Sequence, residues 1–166
     1  MDGTYSLFTT GHGNQAIGSF IAALDQYRIT TLVDVRSRPY SQWAHQFSRE
    51  ILNHDLEETG IDYVYMGDVL GGQPADRTLY RPGQEHRDYQ RVANTPVYQA
   101  GLQELLSLAQ NRTIVVMCSE GDHRHCHRHL LITQSLLDMG AAVDHIQPDG
   151  TCSAGTLEPE QLTLFG

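Results

Sequence analysis

The run Ile114-Val115-Val116-Met117 is apolar at every position and stops abruptly at Cys118. A strand with one wet face alternates apolar and polar residues, so an unbroken run of this length reads as a strand buried on both faces, between layers of helix. The same stretch continues as Thr113 to Leu131 (TIVVMCSEGDHRHCHRHLL), passing through a polar loop into a helical pattern. Two cysteines, four histidines, two acids and two arginines fall between Cys118 and His129. A buried strand that empties into so many reactive side chains is the grammar of a site loop at a strand's carboxyl end.

The rest of the chain supplies partners for that strand. Tyr5 to Thr10 is a β-prone run ending in Gly11-His12-Gly13-Asn14, which places His12 at a strand carboxyl end, and a helix is expected from 17 to 27. Thr31 to Val35 reads as a second strand that leads into Arg36-Ser37-Arg38-Pro39-Tyr40-Ser41. Asp34 lies inside this otherwise apolar strand, where a carboxylate needs a partner, and Arg36 or Arg38 is near enough to be one. Two arginines, a serine and a stiffening proline make the loop an anion grip.

An amphipathic helix over 47–59, with Ile51, Leu52 and Leu56 on its apolar face, is stopped by Gly60 and followed by a strand over 61–66. Beyond Gly71 and Gly72 comes a long polar passage to Arg87. Its Arg77, Tyr80, Arg81 and Arg87 suit a cover over an acidic or phosphorylated ligand. A helical pattern over 88–110 is interrupted near Pro96, a further helix is expected from Cys126 to Met139, and Ala142 to Ile146 supplies the last strand.

Strands and helices therefore alternate throughout. The expected architecture is a three-layer α/β domain, flavodoxin-like or Rossmann-like, with a mostly parallel five-stranded sheet and helices on both faces. Residues 1–147 form the domain, and 148–166 read as a flexible tail.

Composition narrows the function. A net charge of −9 argues against a broad electrostatic footprint for nucleic acid. All 11 basic residues are arginine, the side chain suited to bidentate contact with phosphate or carboxylate. No apolar run reaches the length of a membrane span and the start lacks a signal-peptide pattern, so the reading is a cytoplasmic protein with no membrane partner. Three cysteines, two of them crowded into one His-rich loop, suggest thiol or metal chemistry more than a disulfide scaffold.

Several separated motifs occur in order: Thr10-Gly11-His12-Gly13, Leu32 to Ser41, Leu70-Gly71-Gly72, and Cys118-x-Glu120 with Cys126-His127-Arg128. Together they resemble domain of unknown function family 488, over about residues 5–147. The resemblance implies a three-layer α/β fold and no settled activity. It marks His12, Asp34, Arg36, Pro39, Gly71, Gly72, Cys118, Glu120, Cys126, His127 and Arg128 as signature positions; Gly13 stands where the family often has Ser. Separately, Gln161-Leu162-Thr163-Leu164-Phe165 is similar to the pentapeptide by which bacterial polymerases and repair proteins dock on the sliding clamp. In such a peptide Gln161 would bond at the rim while Leu162, Leu164 and Phe165 fill an apolar groove.

Three chemistries suit the Cys118 loop. The first is an enzyme of the hydrolase or glycosyl- or phosphoryl-transferase class acting on a nucleotide, nucleoside or nucleic-acid substrate in repair, defence or maintenance. There Glu120 serves as nucleophile or general base with His12, while Asp34, Arg36, Arg38, Tyr40, Ser41, Gly71, Gly72, His127 and Arg128 form the substrate site. The second makes Cys118 a thiolate in a phosphatase-like or rhodanese-like loop, because Cys118 and Arg124 satisfy C-x5-R; Glu120 and Asp122 inside that loop oppose it electrostatically. The third needs zinc, held by Cys118, Cys126 and His127, although the spacing is not that of a standard knuckle. A non-catalytic module that binds a nucleotide or modified base is the alternative from another class.

Overall fold

A computed structural model describes residues 5–71 and 89–158. Its centre is a six-stranded sheet in the order β3-β2-β4-β1-β5-β6. The strands are β1 (Ser6–Gly11), β2 (Thr31–Asp34), β3 (Asp62–Tyr65), β4 (Ile114–Cys118), β5 (Ala142–Ile146) and β6 (Cys152–Ala154). The first five run parallel, and only β6 is antiparallel, beside β5.

The apolar run lies where its composition demands. β4 is hydrogen-bonded to β2 on one side and β1 on the other, and all five of its residues are buried. Alternate side chains enter two separate cores. Val115 and Met117 pack with Phe20 and Leu24 of α1 (Ile17–Gln26) and with Leu52 and Leu56 of α2 (Arg49–Glu58). Ile114, Val116 and Cys118 pack with Leu70 of the single turn α3 (Gly67–Leu70), Val92 of α4 (Tyr89–Ala93) and Leu102 and Leu105 of α5 (Pro96–Ala109). Leu136 of α6 (Gln134–Asp138) completes this second core.

Crossover handedness explains the division. The chain steps across the sheet in one direction from β1 to β2 to β3, then in the other from β3 to β4 to β5. Right-handed crossovers place α1 and α2 on one face and the remaining helices on the other. The expected three-layer, mostly parallel fold is therefore present, with β4 inserted between β2 and β1.

Local differences from the sequence reading have physical reasons. Ile51 is 48% exposed, so the buried stripe of α2 is Leu52 and Leu56 alone. The helical pattern over 88–110 divides at Thr95, whose side chain accepts from the Tyr98 N–H and whose successor, Pro96, starts α5. No continuous α-helix runs from Cys126 to Met139. A 3-10 turn (His123–His125) precedes Cys126, whose backbone is extended, and Arg128–Thr133 is a π-helical turn leading into α6. The wide turn is held by Thr133 Oγ1 donating to the Arg128 carbonyl at 2.6 Å and Gln134 Nε2 donating to the His129 carbonyl at 3.1 Å. Both bonds span five residues and match a π register.

Residues 148–158 read from sequence as the start of a tail, yet they carry the sixth strand. Gln147 N–H donates to the Thr151 carbonyl at 2.7 Å and Gly150 adopts φ +89°, which reverses the chain into β6. Because all three β6 residues are exposed, they show no alternation that a sequence could reveal. The chain is tied further at Thr156 and Glu158, whose backbones bond the Gln134 side chain. The arginine-bearing passage with Gly72, and the Gln161–Phe165 peptide, lie outside the described residues. Among the described residues no helix is long and apolar enough to cross a membrane.

Truncating Leu102, fully enclosed beneath the sheet, is expected to lower unfolding stability by about 2–5 kcal/mol. Ile51→Ala on the exposed side of α2 should change it by less than about 0.5 kcal/mol. Urea unfolding of the two variants measures the contrast.

Candidate functional site

Three strand ends meet at the centre of the sheet's carboxyl edge: Gly11-His12 after β1, Val35-Arg36 after β2 and Ser119 to Gly121 after β4. The chain leaves β2 and β4, which are neighbours, in opposite directions, so a crevice opens between their loops. Backbone bonds extend the ladder into it, His12 N–H donating to the Cys118 carbonyl at 3.0 Å and Gly13 N–H to the Ser119 carbonyl at 2.9 Å. Gly11 is required here, because a Cβ would collide with the Glu120 carbonyl and lie 2.8 Å from Arg128 Nη1.

Asp34 finds its partner in Arg36. The Arg36 Nε donates to Asp34 Oδ1 at 2.9 Å and Nη2 to Oδ2 at 2.8 Å, while the Arg36 backbone N–H adds a third bond to Oδ1 at 3.1 Å. The Tyr63 hydroxyl donates to the same carboxylate. Both ions are buried, so each one's desolvation is offset by the other and by these bonds. Next to them, His12 Nδ1 lies 2.7 Å from the Gly13 carbonyl and must carry the proton, which leaves Nε2 to accept from Arg36 Nη1 at 3.2 Å. Burial holds the His12 pKa down to about 4, so the ring is neutral near pH 7. Expected as a base, His12 here has its lone pair occupied by Arg36. Among the described residues the guanidinium retains one further N–H on each terminal nitrogen.

Arg128, fully buried, fixes the β4 loop from behind. Its Nε donates to Thr9 Oγ1 at 3.2 Å, Nη1 to Cys118 Sγ at 3.0 Å and to the Glu120 carbonyl at 2.5 Å, and Nη2 to the Gly121 carbonyl at 3.3 Å. Burial lowers its pKa to about 10, which leaves it charged. The Glu120 side chain is exposed at the rim, its Oε1 accepting from the Asp122 N–H at 3.3 Å. Arg124 turns outward into a two-bond pair with Asp122, at 3.0 and 2.9 Å. It is therefore Arg128, not the Arg124 of the C-x5-R spacing, that reaches the Cys118 sulfur.

The sulfurs of Cys118 and Cys126 face each other, with Cα atoms 7.6 Å apart. That span exceeds the roughly 4.4–6.8 Å of a disulfide, so the two are neighbouring thiols. His127 Nε2 donates to the Val35 carbonyl at 3.1 Å, and Nδ1 lies 3.6 Å from Cys126 Sγ. The sequence-expected zinc set of Cys118, Cys126 and His127 thus has one imidazole nitrogen already committed to backbone.

Arg38, Tyr40 and Ser41 line a surface groove together with Ser37, Pro39, Gln42, His45 and Ser48. Tyr40 is 62% exposed, and Trp43 in the same loop is 89% exposed. Gly71 belongs to the packing beneath this loop, since a Cβ there would run into Ser37 and the Gly67 carbonyl.

The family profile described as domain of unknown function DUF488 matches residues 16–134. The chain belongs to the DUF488 family. Searches among curated proteins and among solved structures return no match. The segment matching DUF488 contains Asp34, Arg36, Cys118, Glu120 and Arg128, whereas His12 precedes it.

One grouping in this DUF488 chain was missed from sequence. His123, His129 and His145 gather behind the β4 loop, with ring nitrogens within 4.8 Å of one another. His145 lies in β5, beyond the family match, and Thr9 and Glu158 contact the cluster from β1 and from the segment after β6. His123 and His129 were visible in the His-rich run after β4; His145 stands alone in Ala142-Val143-Asp144-His145-Ile146 and carries no local motif.

Because folding depresses the His12 pKa, the unfolded chain binds the extra proton first as pH falls below about 6.5. Stability present above that pH is expected to decline towards pH 4, with a slope of up to about 1.4 kcal/mol per pH unit from this residue. Urea unfolding between pH 7.5 and 4.5 should show a shallower decline for His12→Gln than for the native chain.

Proposed function

We propose that this DUF488 protein is an enzyme of the hydrolase or glycosyl- or phosphoryl-transfer class acting on a nucleotide, a nucleoside or a nucleic-acid end. The observation that carries this reading is the loop after β2, where Arg36 is held rigid, Arg38 and the exposed Tyr40 line one groove, and Trp43 of the same loop is exposed. Guanidinium groups pair with phosphate, and exposed aromatics stack on bases at about 1–3 kcal/mol per base. A chain of net charge −9 would confine such a ligand to a local cationic pocket rather than a long basic track.

Glu120 supplies the reacting carboxylate. Its backbone is fixed by Arg128 and its side chain stands at the rim of the neighbouring loop, oriented by the Asp122 N–H. The rival reading, a binding module without turnover, is favoured by one observation: both His12 nitrogens are engaged, so His12 offers no free base. Glu120→Gln separates the two, because an enzyme loses turnover with binding kept.

Trp43 is the chain's single tryptophan, so its fluorescence reports on this loop alone. Titration with nucleoside mono- and triphosphates and short oligonucleotides should quench it. Arg38→Ala is expected to weaken binding by about 10–100-fold, corresponding to a charged hydrogen bond of about 1.5–3 kcal/mol. Unchanged fluorescence with every one of these ligands would sink the proposal.

Recruitment to a bacterial sliding clamp through Gln161, Leu162, Leu164 and Phe165 fits the same setting, since it would deliver the enzyme to DNA. Purified clamp should retain the full chain, and removal of residues 161–166 should abolish retention. Equal retention of both proteins would assign the contact elsewhere.

A further inference from the structure

We propose that His123, His129 and His145 form a binding site for a divalent transition-metal ion of the zinc, cobalt or nickel class. The proposal is independent of the nucleotide reading above. Imidazole nitrogen suits these ions, and three imidazoles with an open fourth position form a zinc coordination pattern of the catalytic type.

Two ligands are already in place. His129 Nδ1 and His145 Nε2 face each other across 3.2 Å. Two nitrogens bound tetrahedrally to one ion at about 2.0–2.1 Å lie about 3.3–3.4 Å apart, so the pair needs almost no adjustment. Their remote nitrogens are held by oxygen: His129 Nε2 is 2.6 Å from Glu158 Oε1, and His145 Nδ1 is 2.5 Å from Thr9 Oγ1. A carboxylate or hydroxyl on the far nitrogen is what fixes the tautomer and direction of a ligating histidine.

Proton positions are consistent with metal entry. The Glu158 carboxylate accepts from His129 Nε2, which leaves the Nδ1 lone pair facing the cluster. Without a metal, His145 Nε2 donates to that lone pair and Thr9 Oγ1 donates to His145 Nδ1. With a metal, the His145 proton moves to Nδ1, where Thr9 Oγ1 accepts it, and both facing nitrogens become ligands. No net proton is lost.

The third ligand must turn. His123 stacks on His145 with centroids 3.9 Å apart and planes inclined by 17°, so its lone pairs run alongside the site instead of into it. It lies only half-buried on a 3-10 turn, and its Nδ1 is 3.5 Å from Gln147 Nε2, a bond weak enough to exchange. A groove lined by Asp122, His123, Gln147 and Ser153 borders the cluster at His123, the side from which an ion would enter as that ring turns.

Full-length protein stripped with chelator and dialysed would be titrated with Co(II), read by its visible ligand-field bands, and with Zn(II) by calorimetry. A single ion per chain with a tetrahedral Co(II) spectrum is expected. His123→Ala and Glu158→Gln alter residues at the cluster's accessible edge and should weaken affinity about 10–100-fold without changing the melting temperature of the metal-free protein. Cys118→Ser/Cys126→Ser should bind as the native chain does. Absence of saturable binding, or binding indifferent to His123→Ala, overturns the proposal. Binding that survives the histidine changes and disappears with the cysteines overturns it in favour of the thiol pair.

Discussion

A guanidinium with no access to water lies behind the candidate site. The acceptors of Arg128 are a hydroxyl, a sulfur and two carbonyls, none of them a carboxylate. Neutral partners offset the desolvation of a buried charge less well than an ion pair does, and its depressed pKa reflects that. What the arrangement gains is rigidity, because the Glu120 and Gly121 carbonyls are drawn onto a fixed fork. Through Thr9, the same fork adjoins the histidine cluster, so the crevice and the cluster share one anchor. Gly11 lets this happen by leaving room for both the loop carbonyl and the guanidinium.

Asp34 and Arg36 play the corresponding part on the β2 side with opposite economy. Here the charge is paired by two parallel bonds, and the histidine that might have served as a base completes the arginine's shell. Arg36 is thereby converted from a flexible side chain into a fixed donor with, among the described residues, two N–H groups to spare. One wall of the crevice is set by an ion pair and the other by a cation whose hydrogen-bond acceptors, among the described residues, are neutral. Tyr40 and Trp43, in the loop that follows, are exposed.

How much of this was legible depended on whether a local pattern recorded it. The unbroken apolar run of β4 announced a buried strand, and the carboxylate inside β2 announced a partner at Arg36 or Arg38, because both are consequences of burial along a single element. The choice of Arg128 over Arg124 could not be read from spacing: Arg124 is captured by Asp122 two residues before it, whereas Arg128 is carried inward by a π-helical turn. That turn depends on side chains of Thr133 and Gln134 bonding backward, which a 3.6-residue periodicity does not encode. His145 was hidden for another reason. Its partners come from β1, the loop after β4 and the π-helical turn, distant in sequence, and an isolated histidine in a strand has no signature.

The hydrogen bond between the Glu158 backbone and Gln134 sets a limit on reach. Three Cα-to-Cα steps separate Glu158 from Gln161, a span of at most about 11 Å. The described chain thus ends against the domain where Glu158 meets His129, and the residue that orients this histidine is also the point to which the end of the described chain is tied.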